Sequence, residues 1–379
     1  MALTLEALQA NDGDCLLLHH QPDGGERTLV LIDGGSAGIY RRVLKPRLDQ
    51  LRGAERLDLR MVMVSHIDSD HVTGIVDMFR EMKRQEDDGE ESSWRIRSLW
   101  HNAFESLSGD RRAVTESSAV SASIGGVAPP AGLNPTAAAV VASVKQGNEL
   151  RNLAKQLSVP VNRESGGALV VAPATGLLTI KVADGLTFTV LGPSQAQLED
   201  LDEEWQKSKQ AHPANPDAQA ADYLNRTVPN LSSIVVLAEA AAGGRTWRLL
   251  LTGDAGGDHV MTALADAGLS TEGRLHVDLL KVMHHGSNHS VDQDFFERIT
   301  ADHYVISGNG KHGIPHEDAL TWLSNARPDA TYDVYLTNRT GTNNLGAMLD
   351  RFLAREQQRP HHRYHFRVED ALSMSVAFG

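Results

Sequence analysis

The sequence is poor in cysteine and in long apolar runs. Cys15 is the only cysteine among 379 residues, so no disulfide can form within the chain, which agrees with a reducing cytoplasm. No run of about 18 apolar residues is present, and the first residues lack the basic and apolar regions of a secretory signal. We therefore expect a cytoplasmic protein that does not enter a membrane.

Positive charge is also scarce. Lysine and arginine number 36 against 49 aspartates and glutamates, and the formal net charge is -13. Such a chain repels phosphate backbones at long range, so any contact with nucleic acid must be local or mediated by metal ions. No cluster of Lys and Arg lies near the histidine-rich segments of the sequence, which argues against a broad DNA-binding face.

Histidine is abundant instead, with 17 residues, and the densest group of possible metal ligands follows an apolar run. The run, residues 61–64, predicts a buried strand, and the apolar spacing that begins at Val72 predicts a helix. Between them stand four polar residues: His66, Asp68, Asp70 and His71. Helix capping accounts for Asp70 alone. Without partners the four groups would carry a large desolvation penalty, which divalent metals remove.

Four further segments place such residues where a predicted strand ends. Asp33 precedes two glycines. It either forms a turn there or acts as a carboxylate that orients a metal ligand. Thr252-Gly253-Asp254 follows the strand predicted at 247–251, and three histidines lie within 284–289, after the strand predicted at 277–283. His101 follows a strand predicted at 94–100 and is either structural or part of a pocket.

The pattern His-x-Asp-x-Asp-His after a buried strand resembles the signature of the metallo-β-lactamase superfamily. More narrowly, it is similar to the branch that includes the hydrolase domain of the competence DNA-uptake channel protein and a phosphorylcholine esterase. The resemblance rests on Asp33-Gly34-Gly35, the motif at 66–71, Thr252-Gly253-Asp254 and the segment 284–287, in this order. It implies an α/β (α+β) fold, a four-layer αββα sandwich, with two divalent ions, Zn or Mn, at one rim.

The resemblance also implies roles for individual residues. His66 and Asp68 would bind one ion, Asp70 and His71 the other, and Asp254 would bridge them. His285 would be a further ligand, and His284 would stand behind it or donate a proton to the leaving group. Asp70, Asp254 and His284 would thus be catalytic. The pocket, or the layer behind the ligands, would include Asp33, His101, Asn230, Ser233, Ser287 and His312.

The last ligand departs from the family pattern. Relatives carry Gly-His-Pro at a position where this chain has Gly313-Ile314-Pro315. We expect His316 to be the ligand, with His312 as the alternative.

The segment at about 105–165 is predicted to be an insertion in one domain that spans residues 1–379. Residues 105–135 are rich in Ser, Ala, Gly and Pro, especially over 117–130, which predicts a flexible loop or lid. The whole segment either shapes substrate access or is a disordered spacer. A helix is predicted from Asn134-Pro135. At the other end of the chain, residues 365–369 and 373–378 are expected to form a β-hairpin, with His361 and His362 on the surface.

The function implied by the resemblance is a dinuclear metal-dependent hydrolase, most simply a phosphodiesterase or nuclease that uses a metal-bridging hydroxide. Its partner would be a phosphodiester-containing substrate, either nucleic acid or a small molecule. Two alternatives remain: a hydrolase of a small ester, lactone or lactam, and a non-catalytic metal-stabilised module that binds a partner through the insertion.

Overall fold

The computed structural model describes residues 2–22, 24–102, 135–211 and 232–378. Asn230 and residues 103–134, which include nearly all of the loop or lid predicted at 105–135, lie outside the described residues. Among the described residues, no helix has both the length and the apolar character needed to cross a lipid bilayer.

The first sheet has six strands in the order β16-β1-β2-β3-β5-β7. Strands β1 to β3 pair antiparallel, as the turn residues between them predict, and β3, β5 and β7 are parallel. Every residue of β5 is buried, because a strand in the middle of a sheet covered on both faces has no solvent side. The six strands are β1 (Ala2–Leu8), β2 (Leu16–Gln21), β3 (Thr28–Ile32), β5 (Met61–Val64), β7 (Leu99–His101) and β16 (Ser373–Phe378).

The second sheet has eight strands in the order β15-β14-β13-β12-β11-β10-β9-β8. Strands β8 to β11 are antiparallel, and β11 to β15 are parallel. They are β8 (Leu178–Ala183), β9 (Leu186–Gly192), β10 (Val235–Ala242), β11 (Arg245–Leu251), β12 (Leu275–Lys281), β13 (Ile299–Ile306), β14 (Tyr332–Leu336) and β15 (His362–Phe366). A separate parallel pair consists of β4 (Leu57–Leu59) and β6 (Trp94–Ile96).

The two sheets pack face to face through a shared apolar core, in which Leu5 and Val30 of the first sheet meet Phe188 and Leu249 of the second. Helices cover both outer faces. The first face is covered by α1 (Lys45–Arg52, after a π-helical turn at Tyr40–Leu44), α2 (Ser69–Asp87) and α3 (Pro135–Gln156). The second is covered by α5 (Gly257–Asp266), α6 (Gln293–Arg298), α7 (Glu317–Ala326) and α8 (Leu345–Glu356). The remaining helix, α4, is Gln195–Ala211. The layers confirm the predicted αββα sandwich.

The predicted C-terminal hairpin is wrong. Strand β15 pairs parallel with β14 in the second sheet, whereas β16 pairs antiparallel with β1 in the first. The chain crosses between the sheets over residues 367–372, where the Arg367 guanidinium donates hydrogen bonds to the carbonyls of Val368, Glu369 and Ala371. Two neighbouring strand patterns do not specify whether the strands pair with each other, because pairing depends on the rest of each sheet.

His362 is buried rather than on the surface. Its ring stacks on Tyr332 with 4.3 Å between centroids, and its Nδ1 lies 2.8 Å from the Glu356 carboxylate. The polar sequence around His362 could not predict this burial. The burial results from the parallel pairing of β15 with β14, which places His362 beside Tyr332.

Two smaller expectations also change. The single strand predicted at 94–100 is divided into β6 and β7, which pair with different neighbours. Within the segment 105–165, α3 buries Leu150 and Ala154 against the first sheet's helices and strands. This part of the segment therefore belongs to the core and is neither a lid nor a spacer.

Candidate metal centre

The possible ligands lie beyond the carboxyl ends of strands in both sheets. Strand β5 leads into the loop and helix start with His66 to His71, and β3 leads to Asp33. In the second sheet, β11 leads to Asp254 and β12 to the two histidines at 284 and 285. Because the sheets are stacked, these loops meet at one rim of the sandwich.

Asp254 is at the centre of the cluster and is 3% exposed. Its Oδ2 lies 3.8 Å from Nε2 of His66 and 3.6 Å from Nε2 of His285, and its Oδ1 lies 3.4 Å from Nε2 of His71. One oxygen of the carboxylate therefore faces His66 and His285, and the other faces His71. Nε2 of His284 is also near it, at 3.8 Å from Oδ2.

The two aspartates of the 66–71 motif belong to different halves of the cluster. Asp68 Oδ2 lies 3.8 Å from Nε2 of His66, and Asp70 Oδ2 lies 3.5 Å from Nε2 of His285. Nε2 of His71 and Nε2 of His285 are only 3.3 Å apart. The structure thus brings together one group with His66 and Asp68 and a second with Asp70, His71 and His285, and Asp254 lies between them.

Each histidine is held from behind through its other ring nitrogen. Nδ1 of His71 lies 2.9 Å from Asp33 Oδ2, and Nδ1 of His66 lies 3.1 Å from the Ser65 hydroxyl. Asp33 also accepts hydrogen bonds from the Ser65 amide and hydroxyl at 2.7 Å each. Such contacts fix the ring orientation and leave Nε2 directed at the centre, which is how proteins orient histidine ligands.

Nδ1 of His284 and of His285 also have partners behind them. The first lies 2.9 Å from the Ser290 hydroxyl, and the second lies 3.5 Å from Oδ1 of Asp14. His284 is about a third exposed, at 31% of its side chain, whereas His285 is 4% exposed. His285 is therefore inside the cluster, and His284 is at its solvent edge.

Asp14 was not identified from the sequence, where it stands in a turn-like Asn-Asp-Gly-Asp segment. Asp14, His71, Asp254 and His285 offer possible ligand atoms within 4.8 Å of one another. The Asp14 carboxylate, however, faces the Nδ1 side of His285 and forms an ion pair with buried Lys281. It therefore stands behind the imidazoles. One signal could have revealed it: it immediately precedes the buried apolar segment Cys15–Leu18.

The backbone beside the cluster adopts conformations that non-glycine residues rarely adopt. His284 and His285 have φ values of 47° and 54°, and Asp33 has φ of 58°. Left-handed backbone costs about 1–2 kcal/mol per residue and persists where the surroundings enforce it, often at functional sites. Here the two successive left-handed residues lie in the turn that brings both imidazoles to Asp254.

A close approach of two glycines fixes Asp33 against His71. The Gly34 amide donates to the His71 carbonyl at 2.7 Å, and the Gly74 amide donates to the Gly35 carbonyl at 3.1 Å. A Cβ on Gly74 would lie 1.9 Å from the Gly34 carbonyl oxygen. Only glycine permits this contact between the β3 loop and the first turns of α2.

Mutual charge and burial shift the pKa values throughout the cluster. Burial alone would lower the pKa of His285, but Asp254 and Asp14 outweigh it and raise the pKa to about 9. Burial lowers the pKa of His66 to about 3, with His71 adding to the effect. Partial burial and the charges of Asp70 and Asp254 raise the pKa of Asp68 to about 8. A cation among these carboxylates would favour their charged forms.

The residues present fit a metal ion. Nε2 of His66 and Oδ1 of Asp254 are buried and have no hydrogen-bond partner among the described residues, although buried polar atoms nearly always have one. Both atoms are lone-pair donors that point into the cluster. A set of imidazole nitrogens and carboxylate oxygens suits zinc and also harder ions such as manganese.

The remaining predicted residues have other positions. The Ser233 hydroxyl accepts from the Asp254 amide at 3.2 Å and so helps to place it. The hydroxyl of buried Ser287 accepts from the His289 amide at 3.3 Å. His101 lies under α3, where its Nε2 is 2.9 Å from the Gly147 carbonyl, and burial lowers its pKa to about 4.

The structure does not bring His316 or His312 to the cluster. Nδ1 of His316 accepts from the Asn288 amide at 3.0 Å, and its ring faces His289. His312 is exposed on a short 3-10 turn. Within the described part of the chain, neither histidine lies within ion-pair distance of Asp68, Asp70 or Asp254.

No protein-family model matches the chain, and no curated protein matches it. Among solved structures, it is similar to MEM-A1, a subclass B3 metallo-β-lactamase from a soil metagenome library, with 14% identity, a TM-score of 0.29 and coverage of 94% of each chain. It is also similar to the Rm3 metallo-β-lactamase, with 13% identity, a TM-score of 0.29, and coverage of 93% of this chain and 91% of that one. These values assign no activity to the chain.

Proposed function

We propose that the chain is a hydrolase that uses two divalent metal ions and acts on phosphodiesters. The observation that carries the proposal is the position of Asp254, whose Oδ2 faces Nε2 of His66 and of His285 and whose Oδ1 faces Nε2 of His71. A carboxylate in this position can contact two ions at once. Two-metal sites of this kind have ions about 3.5–4 Å apart.

The proposed ligands divide between the two halves of the cluster. His66 and Asp68 would hold one ion, Asp70, His71 and His285 the other, and Asp254 both. His316 is not included, since its Nδ1 accepts a backbone hydrogen bond and the ring proton is therefore on Nε2, which leaves no nitrogen free to bind a metal. The carboxylates at 68, 70 and 254 make the set harder than an all-histidine site, which favours Zn²⁺ or Mn²⁺ with an oxygen-rich substrate.

When bound, such ions lower the pKa of a water molecule to near neutrality and stabilise the attacking and leaving oxygens of an in-line displacement. The phosphodiester suits this arrangement because both of those oxygens carry charge in the transition state. The chain's own residues then orient the reaction. Asp33, Ser65 and Asp14 hold the imidazoles from behind, so that the Nε2 atoms need no rearrangement when substrate arrives.

His284 is suited to handle the proton of the leaving group. Its Nε2 lies at the edge of the cluster, 3.8 Å from Asp254, and its Nδ1 is fixed by Ser290. Partial exposure gives this imidazole access to both substrate and water. We expect His284→Gln to lower kcat on a substrate with a poor leaving group more than on one with a nitrophenolate, which needs no proton.

The experiment that tests the function compares substrates on the Zn²⁺- and Mn²⁺-loaded chain: bis-p-nitrophenyl phosphate, single-stranded DNA, duplex DNA, a lactam and a carboxylic ester. We expect hydrolysis of the phosphodiesters and its loss in Asp254→Asn. Hydrolysis of the lactam or ester alone would overturn the proposal and identify the chain as a hydrolase of small esters or lactams. Hydrolysis of none, with both ions bound, would leave the reading of a metal-stabilised binding module.

A further inference from the structure

A groove of about 920 Å³ on the outer face of the first sheet's helices is unusually basic for a chain of this charge. It lies between the helical segment at 40–52 and the later turns of α2. Two acidic residues line it, Asp77 and Glu81, against six basic ones. The basic residues are Arg41, Arg42, Lys45, Arg80, Lys83 and Arg84.

Half of these cations are already neutralised. Lys45 forms ion pairs with Asp49 and Glu81, at 3.2 and 3.1 Å. Arg80 is bound by Asp77 and Glu149, at 2.9 and 2.7 Å, and Lys83 by Glu86 and Asp87.

The other three, Arg41, Arg42 and Arg84, are exposed, and none has an ion-pair partner within the residues that the structure describes. The position of Arg84 near the end of α2 suits the helix dipole. The helix dipole does not account for Arg41 and Arg42, because they are not at a helix end: the helix continues beyond them as α1. Three guanidinium groups therefore face one groove without a counter-charge.

The groove follows the same helix that supplies the metal centre. His71 is in the first turn of α2, and Asp77 and Arg84 are six and thirteen residues further on. At 1.5 Å per residue these positions lie roughly 9 and 20 Å along the helix axis. Gly38, at the other wall, follows closely after Asp33, which contacts His71. Residues 71–76 of α2 are buried, so a ligand that joined the metal centre to the arginines would pass over the residues that cover these turns.

The side chains indicate the chemistry of the ligand. Guanidinium groups bind phosphates through paired hydrogen bonds. The exposed large apolar residues in the described part of the chain, Leu177 and Val368, are both outside the groove, so it has no anchor for a lipid surface. Tyr40 is buried, so no aromatic face is available for base stacking. Contacts would be made to backbone phosphates, without regard to sequence.

We propose that this groove is a phosphate-binding site separate from the metal centre, and that it holds the backbone of an oligonucleotide whose scissile bond lies at that centre. This inference rests on the proposed phosphodiesterase function. With a rise of about 3.4 Å per nucleotide in a B-form strand, the groove would contact phosphates about three to six nucleotides from the scissile bond.

Binding is tested with a fluorescent oligonucleotide whose phosphorothioate linkages resist hydrolysis, added to the metal-loaded chain at about 50 to 200 mM salt. The variant Arg41→Gln/Arg42→Gln/Arg84→Gln should bind about tenfold or more weakly at low salt. Its slope of log affinity against log salt should be smaller by about 2 to 3. Single-stranded and duplex probes show which form the groove accepts.

A matched control removes the same charge elsewhere. Arg248→Gln/Arg298→Gln/Arg351→Gln also eliminates three exposed arginines, which pair with Glu239, Asp294 and Glu317 on the second sheet's side. This variant should bind as the wild type does, apart from a small effect of net charge. Equal loss in both variants would overturn the proposal. So would groove-dependent binding to phosphatidylserine vesicles without binding to the oligonucleotide.

Hydrolysis separates this inference from the function on which it rests. The groove variant should retain kcat/KM on bis-p-nitrophenyl phosphate, which is too short to reach the arginines, and lose it on oligonucleotides longer than about six nucleotides. Equal rates on the long substrate would contradict the groove. If the wild type hydrolyses neither substrate, the proposed function fails, and the binding measurement still decides whether the groove holds phosphates.

Discussion

The Nζ of Lys281 forms an ion pair with Oδ2 of Asp14, and both side chains are almost fully buried. The other oxygen of Asp14 lies 3.5 Å from Nδ1 of His285. Lys281 ends β12, and Asp14 precedes β2, so the pair joins the two sheets directly behind the metal cluster. Lys281 holds the pKa of Asp14 far below its usual range, although burial alone would raise it. Asp14 is therefore charged where it meets the imidazole.

Lys281→Met should destabilise the fold by about 3–5 kcal/mol, because it leaves the Asp14 carboxylate buried without its cation. In Asp14→Asn/Lys281→Met no unpaired charge remains, so the loss should be clearly smaller than the sum of the two single losses. Urea unfolding of the four chains in a double-mutant cycle measures this difference. Additivity within about 0.5 kcal/mol would mean that the pair does not act as a unit.

Asp33→Asn should weaken metal binding about 10- to 100-fold, since it removes the carboxylate that fixes His71 through Nδ1. Competition with a chromophoric chelator measures the affinity. Asp12→Asn is the matched control: Asp12 contacts Ser36 and Lys311 and should leave the affinity unchanged. If both variants bind metal as the wild type does, the Asp33–His71 contact has no role in holding the ion.

Glu6 should make stability depend on pH in the acid range. Burial would raise its pKa, but contacts with His19, Arg47 and Ser373 lower the pKa to about 2. A carboxylate whose pKa is lowered in the folded state stabilises the fold at pH values above its pKa in the unfolded chain, which is about 4.3. This stabilisation is lost as the pH falls toward 2. Glu6→Gln should therefore lower the free energy of unfolding by roughly 3 kcal/mol at pH 7.

The difference between Glu6→Gln and the wild type should shrink between about pH 4.3 and pH 2. The exposed Glu90 provides a control, because Glu90→Gln should change stability by less than about 0.5 kcal/mol. Denaturant unfolding at several pH values gives both curves. A Glu6→Gln deficit that stays constant throughout this range would show that loss of packing, and not of the charged contacts, causes it.

Gly74→Ala should destabilise the fold by about 1–3 kcal/mol or more, because the new Cβ would collide with the Gly34 carbonyl. It should also weaken metal binding, since the same displacement moves Asp33 from His71. Gly346→Ala places a Cβ 3.5 Å from a Thr340 methyl and should be neutral or stabilising by up to about 1 kcal/mol in a helix. Thermal unfolding and chelator competition on both variants check this, and a Gly74→Ala chain that behaves as Gly346→Ala does would refute it.

Local patterns could predict the parts of the site that lie in one segment. The apolar run before Ser65 and the helical spacing after His71 placed the motif on a strand-to-helix loop, and Asp254 and His285 were expected at strand ends. The position of Asp14 before an apolar segment was a signal, but its role could not be predicted, because that role depends on Lys281, which comes from the other sheet. The basic groove was equally hidden, since Arg41 and Arg84 are far apart in the sequence and are neighbours only through helix packing.

The same limit explains the fold-level errors. Residues 362–366 and 373–378 each have a strand pattern, but their partners are β14 and β1 in different sheets. His316 was expected in the cluster because it follows the proline that relatives place beside their ligand. The conformation of that turn, which the sequence pattern does not specify, directs its Nδ1 to the Asn288 amide instead.

The most direct measurement of the central claim is the metal content of the purified chain and of Asp254→Asn, by inductively coupled plasma mass spectrometry after equilibration with Zn²⁺ or Mn²⁺ and removal of free ions. We expect about two divalent ions per wild-type chain, as in dinuclear hydrolases. A folded Asp254→Asn chain should lose most of the bound metal, since this carboxylate faces both His66 and His71. A folded wild-type chain without metal, or an Asp254→Asn chain that retains both ions, would contradict it.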